Sequence, residues 1–127
     1  MKIVVSPNPY RDKQFKNARQ ACSILREAGA EVALCLPFDV DKTFEIPHDL
    51  RFQDIQKEIK TADMLICFGG DGTILHSSKI ATEHNLPILG VNIGTMGFIA
   101  ELEAGEIELL RKIPKGDYTV EERTMLD

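Results

Sequence analysis

The sequence predicts an α/β domain in which a parallel sheet is covered on both faces by helices. Three observations carry that expectation. Short apolar, β-branched runs alternate with segments whose apolar residues recur at helical spacing, an order that favours parallel strands joined by helical crossovers. Two glycine-rich loops, Gly69-Gly70-Asp71-Gly72 and Asn92 to Phe98, follow such runs directly. The 127 residues are 43% apolar and 28% charged, which suits one globular domain with a core of its own.

Each element has its own signal. Ile3-Val4-Val5 is a short strand closed by the turn residues Ser6-Pro7-Asn8-Pro9. Phe15, Ala18, Cys22 and Leu25 then line one face of a helix that Gly29 can terminate. Val32 to Leu36 is the second strand, stopped by Pro37. After a polar loop carrying Pro47, Asp49 is placed to cap a helix with Phe52, Ile55 and Ile59 inward. Met64 to Phe68 is the third strand, and Ile74 to Glu83 the helix beyond its glycine loop. Ile88 to Val91 is the fourth strand. Ile107, Leu110 and Ile113 mark one more helix ended by Pro114, and Tyr118-Thr119-Val120 begins a last extended segment.

Composition removes several classes of function. A net charge of −5 disfavours a nucleic-acid partner, which needs a basic face to displace counterions, and equally an anionic membrane surface. No apolar run approaches the ~20 residues of a membrane span. Lys2 to Val5 opens a strand and is too short for a signal-peptide core. Cys22, Cys35 and Cys67 are far apart, odd in number and each set in an apolar segment. They are expected to be buried, reduced thiols of a cytoplasmic protein, with no metal site.

In an open parallel sheet, ligands sit beyond the carboxyl ends of the strands, where both glycine loops should lie. Glycines 69, 70 and 72 can take positive φ and let a phosphate approach main-chain N–H groups. The helix that follows adds partial positive charge at the same place. Asp71 would repel a phosphate as a bare ligand; as a general base it can take the proton of an attacking hydroxyl. Phosphoryl transfer asks mainly for positioning and charge neutralisation, so one such carboxylate with Mg²⁺ suffices.

Plainer readings stand beside this one. Asp71-Gly72 is also a hairpin signal, although Ile74 to His84 lacks strand alternation. Asp71 can serve only as a cap of the next helix. Neither G-x-x-x-x-G-K-[ST] nor G-x-G-x-x-G occurs in this loop. His76, one helical turn past Asp71, reaches the same rim or is a bystander. Asn92 bonds a ribose or caps its turn, and Phe98 is core or a platform for a base. Glu101, Glu103, Glu106 and Glu108 read as a solvated helix face.

Gly69-Gly70-Asp71-Gly72-Thr73, followed by Gly90-Val91-Asn92-Ile93-Gly94-Thr95-Met96-Gly97-Phe98-Ile99-Ala100-Glu101, resembles the NAD kinases. The closing Glu122-Arg123-Thr124-Met125-Leu126 is similar to the segment with which that family leaves its first domain. The first loop alone is shared with diacylglycerol-type and sphingosine kinases and, more loosely, phosphofructokinases. The second motif singles out the NAD kinases.

That resemblance implies a Rossmann-like amino-terminal domain. It implies Mg²⁺-dependent transfer of a phosphoryl group from ATP to the 2′-hydroxyl of the adenosine ribose of NAD. Asp71 matches the family's proton acceptor. Gly70, Asp71, Gly72, Thr73, His76, Asn92 and Phe98 are the nucleotide-binding candidates, Phe98 lying near the adenine. Met96 stands where leucine is more usual, a volume-conserving change. Family members are longer, and a second, β-rich domain supplies an Asn-Glu or Asn-Asp pair that occurs nowhere here. The chain is therefore expected to be the catalytic amino-terminal domain of such an enzyme, inactive alone and homo-oligomeric when whole. A lipid kinase domain and a non-catalytic nucleotide-binding module are the competing readings.

Overall fold

Ile3, Val4 and Val5 put β-branched side chains on both sides of strand β1 (Lys2–Pro7), and all three are fully buried. A strand apolar on both faces belongs in the middle of a covered sheet, and there it lies. The computed structural model, described over residues 1–93 and 102–116, adds β2 (Glu31–Leu34), β3 (Met64–Gly69), β4 (Ile88–Asn92) and β5 (Leu102–Glu103). The order is β2-β1-β3-β4-β5, with every neighbouring pair parallel.

Alternation along the strands separates two cores. Ile3, Val5, Ile66, Phe68 and Val91 face helix α1 (Lys16–Glu27) and the 3₁₀ helix Ala104–Lys112. Val4, Ala33 and Leu65 face the short α2 (Ile55–Glu58), the 3₁₀ turn Ile59–Thr61 and α3 (Asp71–Glu83). Helices on both faces of a parallel sheet make this the Rossmann-like α/β fold expected. Cys22, Cys35 and Cys67 are free and buried. Burial pushes the Cys35 and Cys67 thiols up to about 12, Cys35 helped by the nearby Glu58 and Asp54 carboxylates. Burial also raises the Cys22 thiol.

Four local expectations need correction. Asp54, not Asp49, caps α2, its Oδ1 accepting the Gln56 N–H at 3.0 Å. Asp49 instead binds the Arg19 guanidinium through both nitrogens. Phe52 precedes the helix and packs beside Phe15, ring centroids 4.9 Å apart, in the other core from Ile55 and Ile59. The last helix is 3₁₀, and Ile107, Leu110 and Ile113 point inward as read; their spacing is that of three residues per turn.

Glu103 lies in β5 and shares a reciprocal capping box with Glu106, so the acidic residues are not one helix face. Glu101 lies outside the described residues, as do Phe98, Met96 and Tyr118 to Val120.

Candidate active site

The third strand delivers the glycine loop to the carboxyl edge of the sheet. Gly69 ends β3, Gly70 is extended (φ −93°, ψ −173°), and Asp71 opens α3. No loop glycine takes positive φ; among the described glycines only Gly29 and Gly116 do. Close approach, not left-handed backbone, explains Gly69. A β-carbon there would sit 2.7 Å from Cβ and Oγ1 of Thr73. Gly72 differs, for a β-carbon on it meets nothing within 4 Å. The tight glycine seats the turn, and the open one leaves the first helical N–H groups approachable.

Asp71 is half-buried in the first turn of α3, where the helix dipole favours an acid. Thr73 is 8% exposed, and its Oγ1 accepts Asn8 Nδ2–H at 2.7 Å. Asn8 begins the loop after β1, and its main-chain N–H donates to the Phe68 carbonyl at 2.8 Å. One asparagine therefore ties the loop after β1 to the end of β3 and the first turn of α3. The turn residues at 6–9 pointed to a loop here, but not to this bond across the rim.

The second glycine loop starts on the same edge. Asn92 pairs in register with Gly69, and the Ile93 N–H donates to the Gly69 carbonyl at 3.1 Å. Asn92 is buried, and its Nδ2 donates to Glu103 Oε2 at 2.9 Å. The sheet thus brings Gly70, Asp71, Gly72, Thr73 and Asn92 to adjacent strand ends.

His76 points elsewhere along this edge. Its Nε2 lies 2.9 Å from the Pro37 carbonyl, which can only accept, so Nε2 carries the proton. Its ring meets Phe38 edge-on at 6.4 Å. It joins α3 to the segment after β2. Arg11, which the sequence did not single out, has its guanidinium over Gly70. The guanidinium carbon is 3.9 Å from where a β-carbon of that glycine would stand.

This arrangement offers an anion bare backbone, a helix start and a nearby cation, with one carboxylate in the same turn. Residues 2–118 match the model of the ATP-NAD kinase N-terminal domain. The chain is 33% identical over 128 residues to an NAD kinase of Bacteroides fragilis, covering 99% of this chain and 44% of that protein. With an NAD kinase of Acetivibrio thermocellus it shares 30% over 131 residues, 100% of this chain and 43% of the relative. One from Natranaerobius thermophilus is 47% identical over 75 residues, 58% of this chain and 26% of the relative. The chain spans less than half the length of these relatives.

Proposed function

Because the chain belongs to the NAD kinase family through its amino-terminal domain, we propose that the protein phosphorylates NAD with ATP to give NADP. The 2′-hydroxyl oxygen of the adenosine ribose attacks the γ-phosphorus. The bond from that phosphorus to the β–γ bridging oxygen breaks, and ADP leaves. Asp71 takes the hydroxyl proton. The observation that carries this reading is the position of Asp71, first in α3 and flanked by Gly70 and the open Gly72.

The remaining parts follow the same reading. Main-chain N–H groups of the loop and the start of α3 face the transferred phosphoryl group. Gly70, Gly72, Thr73, Asn92 and Phe98 contribute to the nucleotide site, Thr73 as a brace through Asn8, while His76, engaged by the Pro37 carbonyl, is left out of it. Mg²⁺ accompanies the triphosphate. Among the described residues, no cluster of three or more His, Cys, Asp or Glu side chains could hold an ion. These residues therefore form no metal cage of their own.

The chain covers 44% and 43% of two relatives, which supports a longer functional protein; on the proposed reading a second domain would complete the NAD site. On this reading, the 127-residue chain turns over little or nothing alone, and the whole enzyme is a cytoplasmic homo-oligomer. The experiment is NADP formation by the complete protein with NAD, ATP and Mg²⁺. A protein that phosphorylates a lipid headgroup and ignores NAD would overturn the assignment.

A further inference from the structure

We propose that Arg11 is a phosphate ligand of the nucleotide site, supplied by the loop after β1 and closing over Gly70. The inference rests on the kinase reading above and adds a residue that neither glycine motif contains. Its guanidinium carbon and Nη2 stand 3.9 and 4.0 Å from the position a Gly70 β-carbon would take. A charged fork therefore lies beside the same bare backbone at which a phosphate would arrive.

Arg11 is exposed, and among the described residues its side chain makes no ion pair and no hydrogen bond. Arg19 and Arg111, in contrast, each hold carboxylates on the surface. An exposed arginine with no partner usually wanders, because its long side chain gains little from any one position. Here the main chain beneath it is fixed on both sides.

On one side, the Asn8 carbonyl accepts the Arg11 and Asp12 N–H groups at 3.1 and 2.9 Å, while Asn8 itself is bound to Phe68 and Thr73. On the other, the fully buried Asp12 carboxylate accepts from Asn17 N, Asn17 Nδ2 and Ala18 N at 2.9–3.0 Å. Arg11 sits between these anchors. A guanidinium carried on this anchored main chain can bind two phosphate oxygens at once, which a flexible ammonium does less well.

Two phosphate sources fit this chemistry, the triphosphate of ATP and the pyrophosphate of NAD. The complete protein carrying Arg11→Ala, Arg11→Gln or Arg11→Lys separates them. Steady-state KM for each substrate is measured together with calorimetric binding of inorganic tripolyphosphate. Loss of a charged contact should raise KM for one substrate by about 10- to 100-fold and leave the other within about twofold. A rise for ATP with loss of tripolyphosphate binding assigns the donor; a rise for NAD alone assigns the dinucleotide. Arg11→Lys should recover part of the loss in either case.

Unchanged constants, or equal rises in both, overturn the proposal. Asp71→Asn run in parallel keeps the two readings apart. If it is inactive while the Arg11 variants behave as wild type, the kinase site stands and Arg11 has no part in it. If it is fully active, the assignment of the base has failed, whatever Arg11 does.

Discussion

The two edges of the sheet use polar residues in opposite ways. At the amino edge, Lys2 is consumed by its neighbours. Its main-chain N–H donates to Asp63 Oδ2 at 2.7 Å, and its Nζ binds Glu58 Oε2 at 3.0 Å and the Thr61 hydroxyl. The Asp63 N–H returns to the Lys2 carbonyl at 2.7 Å, and the Glu31 N–H donates to the Met1 carbonyl at 2.9 Å. Charge and main chain are matched within the protein, which leaves little to offer a ligand. At the carboxyl edge, Asn8 is the organiser, yet it bonds backbone and a hydroxyl and neutralises no charge. The glycine loop, the start of α3 and Arg11 remain accessible beside it. One edge is closed by its own contacts; at the other, on the proposed reading, a ligand would complete the set.

The sharpest way to break that contrast is Asp71→Asn in the complete protein. The exchange is nearly isosteric at a half-buried position, so thermal unfolding should hold while the rate of NADP formation falls roughly 10²- to 10⁴-fold. Wild-type turnover in the variant would remove the general base from the carboxyl edge. Next in size is Gly69→Ala. The new methyl would meet Thr73 at 2.7 Å, and Thr73 cannot yield freely because Asn8 holds its hydroxyl. Overpacking of this kind costs about 1–3 kcal/mol, read as a lower midpoint in urea. Gly72→Ala, in the first turn of α3, has open space and should leave that midpoint unchanged or raise it slightly, since alanine favours helix over glycine by up to about 1 kcal/mol. Equal effects from the two glycines would contradict the division into a seated and an approachable part.

How much of this was legible follows from which residues interact locally. The strands announced themselves because a buried parallel strand needs apolar residues on both faces, as at Ile3 to Val5 and Met64 to Phe68. The common edge of the two loops also followed, since each loop directly leaves a parallel strand; Gly69 and Asn92 are indeed paired. Asn8 and Arg11 were beyond reach because the residues they approach, Phe68, Gly70 and Thr73, lie far along the chain. Asp49 and Asp54 are the same residue type at the edge of one aperiodic stretch. Only the fold decides that one caps α2 and the other meets Arg19. Strand β5 comprises just Leu102 and Glu103, too short to show alternation.

At the amino edge the expected effects concern stability alone. Lys2→Met removes the ammonium from Glu58 and Thr61; in the ion pair the Lys2 and Glu58 side chains are 17% and 20% exposed. A partly screened pair with accompanying hydrogen bonds contributes about 1 kcal/mol, so the urea midpoint should fall modestly. KM for ATP and for NAD should stay put. A change in either constant would mean that the amino edge communicates with the site, contrary to the contrast drawn here.

The smallest effect is expected away from both edges, at Arg19 and Asp49. Their side chains are 36% and 65% exposed, so water screens the pair despite its two-pronged geometry. The Arg19 hydrogen bond holds the Asp49 carboxyl below its usual range. A carboxyl lowered in the folded state stabilises the protein above its unfolded pKa of ~3.9, and this contribution is lost as pH falls through the folded value. Arg19→Gln should therefore unfold within about 1 °C of wild type near neutrality at moderate salt. Any gap visible at low salt should close in acid, as pH falls through the lowered Asp49 value. Calorimetric scans across that range provide the check. A neutral-pH loss as large as that of Lys2→Met would show that ion pairs contribute alike wherever they lie, and would leave the amino edge with no special role in closing the sheet.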